Sequence, residues 1–283
     1  MESVLFSPEK LVEILDHKNI AIIDCRYKLS DEKAGIQEYK DGHIPGAFYA
    51  HMKNDLSSPI TPSSGRHPLP DFEIFCQKLS EWNITPETHV IVYDQENGSM
   101  AASRLWWLLK YVSHNSVAML DGGYAKWVKM GFPVSTLVPS QNKLSYIPYP
   151  CMFQENMLVS TQFVLSSLHD KNYILIDARA RDRFHGENET IDPVAGHIPG
   201  AVNRFHGISL TIDNNYREAD DLKKELSDLI SGHSIENTII YCGSGVTACN
   251  LIFAFAFSGT GIPKLYAGSW SEWIRDSTRP IAR

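Results

Sequence analysis

Apolar residues along this chain fall into short unbroken runs separated by helical stripes. Ala21-Ile22-Ile23, residues 89–93 and residues 116–120 are brief apolar runs. A buried parallel strand requires such runs, because helices cover both of its faces. Between the last two, residues 101–111 carry Leu105, Trp106, Leu108 and Leu109 at helical spacing. Ser7-Pro8-Glu9 opens a helix upstream: serine suits the cap, proline the first turn, and Leu11, Val12, Ile14 and Leu15 the buried face. The second half follows the same order, with strands expected at 173–176, 238–241 and 264–266 and helices at 222–230 and 247–257. Strand, helix, strand at this cadence predicts βαβ units. The fold class is α/β, with a mainly parallel sheet flanked by helices in each half.

The agreement between halves extends to individual residues. Ile22-Ile23-Asp24-Cys25-Arg26 followed by Gly42-His43-Ile44-Pro45-Gly46-Ala47 returns as Leu175-Ile176-Asp177-Ala178-Arg179 followed by Gly196-His197-Ile198-Pro199-Gly200-Ala201. The two aspartates and the two arginines stand 153 residues apart, the two histidines 154. Solenoid units run roughly 20–50 residues, so a period this long marks a duplicated domain. Each copy closes on a glycine and a tryptophan at matched distance, Gly122 with Trp127 and Gly268 with Trp273. Residues 134–150 turn to Pro, Ser, Asn and Gln. The expected division is a first domain over 1–138, a connection over 139–157 and a second domain over 158–283. One difference breaks the symmetry: Ile91-Val92-Tyr93 leads to Asp94, whereas Ile239-Ile240-Tyr241 leads to Cys242.

A chain of 283 residues can bury two cores. Its net charge of −7 gives no basic footprint, so neither nucleic acid nor a membrane surface is expected as a partner. Any anion site must be local. Five cysteines without a C-x-x-C motif or a paired framework point to a reducing compartment. The start lacks the pattern of a signal peptide, and the apolar stretch 251–257 is too short to span a bilayer. The reading is cytoplasmic. The eleven histidines form no ligand-spaced cluster, so no metal and no other cofactor is expected.

Cys242-Gly243-Ser244-Gly245-Val246-Thr247-Ala248 lies between an apolar strand and an apolar helix, at the carboxyl edge where α/β sheets bind ligands. Two glycines let the backbone curl so that successive amides point inward, and the helix adds its positive end. Such a nest stabilises an anion, here the thiolate of Cys242. The plain alternative is a buried cysteine acting as a small hydrophobe. A cysteine-dependent phosphatase would need an arginine closing the loop to clamp phosphoryl oxygens. The positions that would carry it hold Thr247 and Ala248.

With this loop, the twin Gly-His-Ile-Pro-Gly-Ala signatures and the Asp-x-Arg strand ends, the chain resembles the tandem rhodanese-domain sulfurtransferases, which include 3-mercaptopyruvate and thiosulfate sulfurtransferases. The resemblance covers nearly the whole chain. It implies two rhodanese-like domains, the first inactive with Asp94 at the cysteine position and the second catalytic, with its site facing the first. Cys242 is then the nucleophile that carries sulfur as a persulfide, and the amides from Gly243 to Ala248 cradle it. Arg183 binds the anionic end of a small sulfur donor. The resemblance places His67, and with it Arg66 in the same polar proline-bounded loop, near the catalytic loop as substrate-binding residues; from the loop alone the pair reads equally well as a solvated turn. His67, Ser244 and an aspartate, for which Asp55 is a candidate, relay a proton. The acceptor implied is a thiol, cyanide or a thioredoxin-like protein. Relatives that use mercaptopyruvate have a further arginine after the one matching Arg183, which residues 186–193 lack, whereas the neutral Gly243 and Ser244 match that type. The donor stays open between the two. The alternative reading is a persulfide carrier or a non-catalytic protein-binding module. Arg179, His43 and His197 read as structural, because they or their twins recur in the copy without the cysteine. Trp106, Trp107, Trp270 and Trp273 read as core or interface residues. Cys249 reads as packed, and the other cysteines as ordinary.

Overall fold

The computed structural model describes residues 4–139 and 149–283. Positions 1–3 of the start and 140–148 of the expected connection lie outside the described residues. The chain forms two compact units. Among the described residues the first takes in 4–58, 69–139, 149–154 and 212–216, and the second 59–68, 155–211 and 217–283. The segment that carries Arg66 and His67 therefore folds with the second unit, although it comes from the first half of the chain.

The first unit contains β1 (Leu5–Phe6), α1 (Pro8–Glu13), β2 (Ile20–Asp24), α2 (Ala34–Asp41), β3 (Phe48–Tyr49), α3 (Phe72–Glu81), β4 (His89–Tyr93), α4 (Ala101–Tyr111), β5 (Val117–Leu120) and α5 (Gly123–Lys129). Its strands order β1-β5-β4-β2-β3, with every pairing parallel. The second unit contains β6 (Leu158–Val159), α6 (Thr161–Ser167), β7 (Ile174–Asp177), α7 (Arg181–Phe184), β8 (Val202–Asn203), α8 (Ala219–Leu229), β9 (Thr238–Tyr241), α9 (Val246–Phe257), β10 (Lys264–Tyr266) and α10 (Ser269–Trp273). Its order, β6-β10-β9-β7-β8, is the same arrangement, again parallel throughout. Ser7 caps α1 by accepting from Lys10 N, with proline at the first helical position.

The cores repeat as the strands do. Ile22, Ile44, Ile91, Tyr93 and Trp127 pack in the first, and Leu175, Ile198, Ile239, Tyr241 and Trp273 stand at the matching places of the second. Below each core lies the same buried ion pair, Arg26 on Asp24 and Arg179 on Asp177, both at 2.6 Å. Each arginine also donates to the carbonyl of the glycine before the repeated histidine, Gly42 or Gly196. His43 and His197 spend Nδ1 on the carbonyls of Tyr39 and Phe184. All five tryptophans singled out in the sequence, Trp106, Trp107, Trp127, Trp270 and Trp273, are fully buried.

One expectation fails. Cys76 on α3 is joined to Cys151 by a disulfide across 75 residues. The sequence offered no motif for it, because the pair is close only once α3 and the segment near 151 have folded. Cysteine usage therefore carries no argument for a reducing compartment. Among the described residues no helix is long and apolar enough to cross a membrane.

Candidate active site

β9 pairs with β7 on one side and β10 on the other, so the loop after it leaves the middle of the second sheet. Cys242 is the first residue of that loop and is 2% exposed. The turn that opens α10 holds it from behind. Cys242 N–H donates to Ser269 Oγ at 3.1 Å, while Cys242 O and Gly243 O accept from Trp270 N and Ser271 N at 3.0 and 2.9 Å. Gly245 has φ +78°, and a Cβ there would lie 2.3 Å from Ala267 O, so only glycine fits. That turn aims Gly245 N–H at Cys242 Sγ, 3.2 Å away. Val246 begins α9, with Thr247 and Ala248 in its first turn, so the sulfur sits beside a helix N-terminus. Cys249, fully buried one turn on, donates its thiol to Gly245 O at 3.2 Å.

Three sequence-derived residues converge on this loop within the second unit. His67 Nδ1 lies 2.9 Å from Ser244 Oγ, and both residues are buried. Arg66 N donates to Ser271 Oγ at 3.0 Å, which ties its backbone to the turn behind Cys242. A Cβ added to Gly243 would meet Arg66 Nη2 at 2.9 Å and the Arg183 guanidinium at 3.5–3.6 Å, so both cations stand at the loop. Burial pushes the Arg66 guanidinium down from its ordinary value; Cys242 opposes that shift and Arg183 adds to it. Asp55 accepts from His51 N at 2.7 Å and pairs with Lys78.

Four residues of the site were not foreseen. Glu189 takes the Arg183 guanidinium through Nε and Nη2 at 2.9–3.2 Å and Arg179 Nη1 at 3.3 Å. Asp192 accepts from Arg183 Nη2 at 3.1 Å and, through its other oxygen, from Arg66 Nη1. Ser269 holds the Cys242 amide, and Ser271 holds Arg66. The signal for Ser269 was present. It aligns with Gly123, whose φ is +56°, and Ser269 itself adopts φ +55°. A buried non-glycine residue in that region costs on the order of 1–3 kcal/mol, and such strain gathers at functional sites.

A family model for a rhodanese-like domain matches residues 7–130 and 160–276. Over 280 residues the chain is 38% identical to the "Probable 3-mercaptopyruvate sulfurtransferase" of Pseudomonas aeruginosa, an alignment spanning 98% of this chain and 97% of that one. It is 32% identical over 267 residues to the thiosulfate sulfurtransferase of Rattus norvegicus, covering 91% and 86%. The crystal structure of SseA from Escherichia coli, described among the 3-mercaptopyruvate sulfotransferases, superposes with a TM-score of 0.78 at 31% identity over 95% of this chain and 99% of that one. The 3-mercaptopyruvate sulfurtransferase from Leishmania major gives 0.84 at 28% identity, covering 96% and 74%. With two matched stretches on two identically ordered sheets, the chain belongs to the rhodanese family, as a tandem-domain sulfurtransferase.

Proposed function

We propose that the protein moves a sulfane sulfur from 3-mercaptopyruvate or thiosulfate to a thiol or cyanide acceptor through a persulfide on Cys242. One arrangement carries the reading: Cys242 Sγ accepts the Gly245 amide, and the Arg66 and Arg183 guanidinium groups stand over the adjacent Gly243. That is a nucleophile with a donor of hydrogen bonds on one side and cations for an anionic substrate on the other.

The Cys242 thiolate attacks the donor's outer sulfur and forms a sulfur–sulfur bond. With thiosulfate, the donor's own sulfur–sulfur bond breaks and its electron pair leaves on sulfite; no proton moves. With mercaptopyruvate, the carbon–sulfur bond breaks, its electron pair goes to carbon, and the thiol proton ends on that carbon to give pyruvate. The hydrogen-bonded Ser244 and His67 supply a path for that proton. In the second half-reaction the acceptor attacks the terminal sulfur of the persulfide and the Cys242 thiolate leaves. Arg183 and Arg66 hold the donor's anionic end during the first half-reaction.

Steady-state rates on purified protein test this. Cys242→Ser should abolish turnover of both donors. Ser244→Ala should slow mercaptopyruvate about a hundredfold, the order expected for a lost proton-transfer group, and leave thiosulfate nearly untouched. Turnover surviving in Cys242→Ser would overturn the proposal, and equal losses with both donors would remove Ser244 from the proton path.

A further inference from the structure

The two guanidinium groups at Gly243 are not free charges. Asp192 splits its carboxylate between them, Oδ1 to Arg66 Nη1 and Oδ2 to Arg183 Nη2 at 3.1 Å. Glu189 chelates Arg183 and reaches Arg179, whose fork is also held by Asp177. Arg66, Arg179 and Arg183 thus face Asp177, Glu189 and Asp192, and the network carries no net charge before Cys242 or a donor is counted. The Glu189 and Asp192 side chains are each 2% exposed, so water screens them little. Arg66 Nε is also buried and has no hydrogen-bond partner among the described residues. A buried N–H left unpaired is costly, and an oxygen of a bound anion would satisfy it.

A neutral surround beside an anionic sulfur favours a donor that brings one negative charge over a donor that brings two. Thiosulfate meets twice the repulsion from the Cys242 thiolate that a carboxylate bearing an uncharged thiol does. We infer that Asp192 is a specificity-determining positioning residue: by bridging Arg66 and Arg183 it holds the pair in place and cancels one positive charge, which sets the site for a monoanionic, carboxylate-bearing thiol donor over dianionic thiosulfate. This rests on the proposal that the two arginines bind the donor.

The test compares KM for mercaptopyruvate and for thiosulfate in the wild type, Asp192→Asn and Asp192→Glu. Asp192→Asn, which uncovers a positive charge, should move the ratio of the two KM values about tenfold toward thiosulfate, as expected of one partly screened charge. Asp192→Glu, which keeps the charge, should hold the ratio near that of the wild type. Equal changes for both donors in Asp192→Asn, or the same shift in both variants, would overturn the inference. On the unaltered protein, pyruvate should compete against mercaptopyruvate at lower concentration than inorganic sulfate does; the reverse order would also overturn it. Arg183→Ala separates the two levels, since unchanged KM values for both donors would mean that the donor binds away from the arginines and that the underlying reading has failed.

Discussion

Asp94 and Cys242 stand at the same place in the two copies, and each side chain accepts backbone amides of its own loop, one for Cys242 and three for Asp94 among the described residues. The Asp94 carboxylate accepts N–H groups from Glu96 at 3.2 Å, Gly98 at 2.9 Å and Met100 at 3.2 Å. Burial pushes its pKa above the ordinary carboxylate range, and those amides pull it back down. The first unit's loop is therefore an anion nest filled by its own side chain. Asp94→Ala should strand several buried amides and lower the unfolding free energy by about 2–4 kcal/mol, while Asp94→Asn, which keeps one acceptor oxygen, should cost less. Urea denaturation of the two variants checks the order, and equal, negligible losses would contradict it. The Gly-x-Gly turn after β9 was legible in the sequence because it separates an apolar strand from an apolar helix, whereas Arg183 was singled out only through the family resemblance. Glu189 and Asp192 were not legible, since carboxylates in a polar span read as solvated. Their burial comes from the arginines that fold over them.

The long strands β2, β4, β7 and β9 were readable as unbroken apolar runs, and α4 and α9 as helices, because burial on all sides leaves no polar face to blur the pattern. The two-residue strands β1, β3, β6 and β8 were not, because two residues cannot show a period. Helix α3 did carry a signal that went unused: Asp71 caps it by accepting from Glu73 N and Ile74 N. Cys76 lies on that helix, and its bond to Cys151 closes 75 residues of chain. Cys151→Ala should lower stability by about 2–4 kcal/mol under non-reducing conditions, chiefly by freeing the unfolded chain. Thiol titration of the denatured, unreduced protein should count three groups, Cys25, Cys242 and Cys249. A count of five would contradict the pairing.

Across the whole molecule, duplication has given two sheets with one topology and two different loop chemistries. The chain's net charge of −7 argues against anionic ligands at long range. The site answers locally, with three arginines set among three carboxylates. That the segment 59–68 would fold with the second unit could not be read from the linear order, and it brings Arg66 and His67 to the loop. Among the free thiols, Cys25 is fully buried, and burial pushes its pKa well up, with Asp24 and Asp94 adding to the shift. It should not react. The most direct measurement is intact mass followed by peptide mapping after a brief exposure to donor without acceptor. The account predicts a gain of one sulfur atom, located on the peptide that contains Cys242 and removed by cyanide. No gain, or a sulfur carried by Cys249 or Cys25 with Cys242 unmodified, would contradict it.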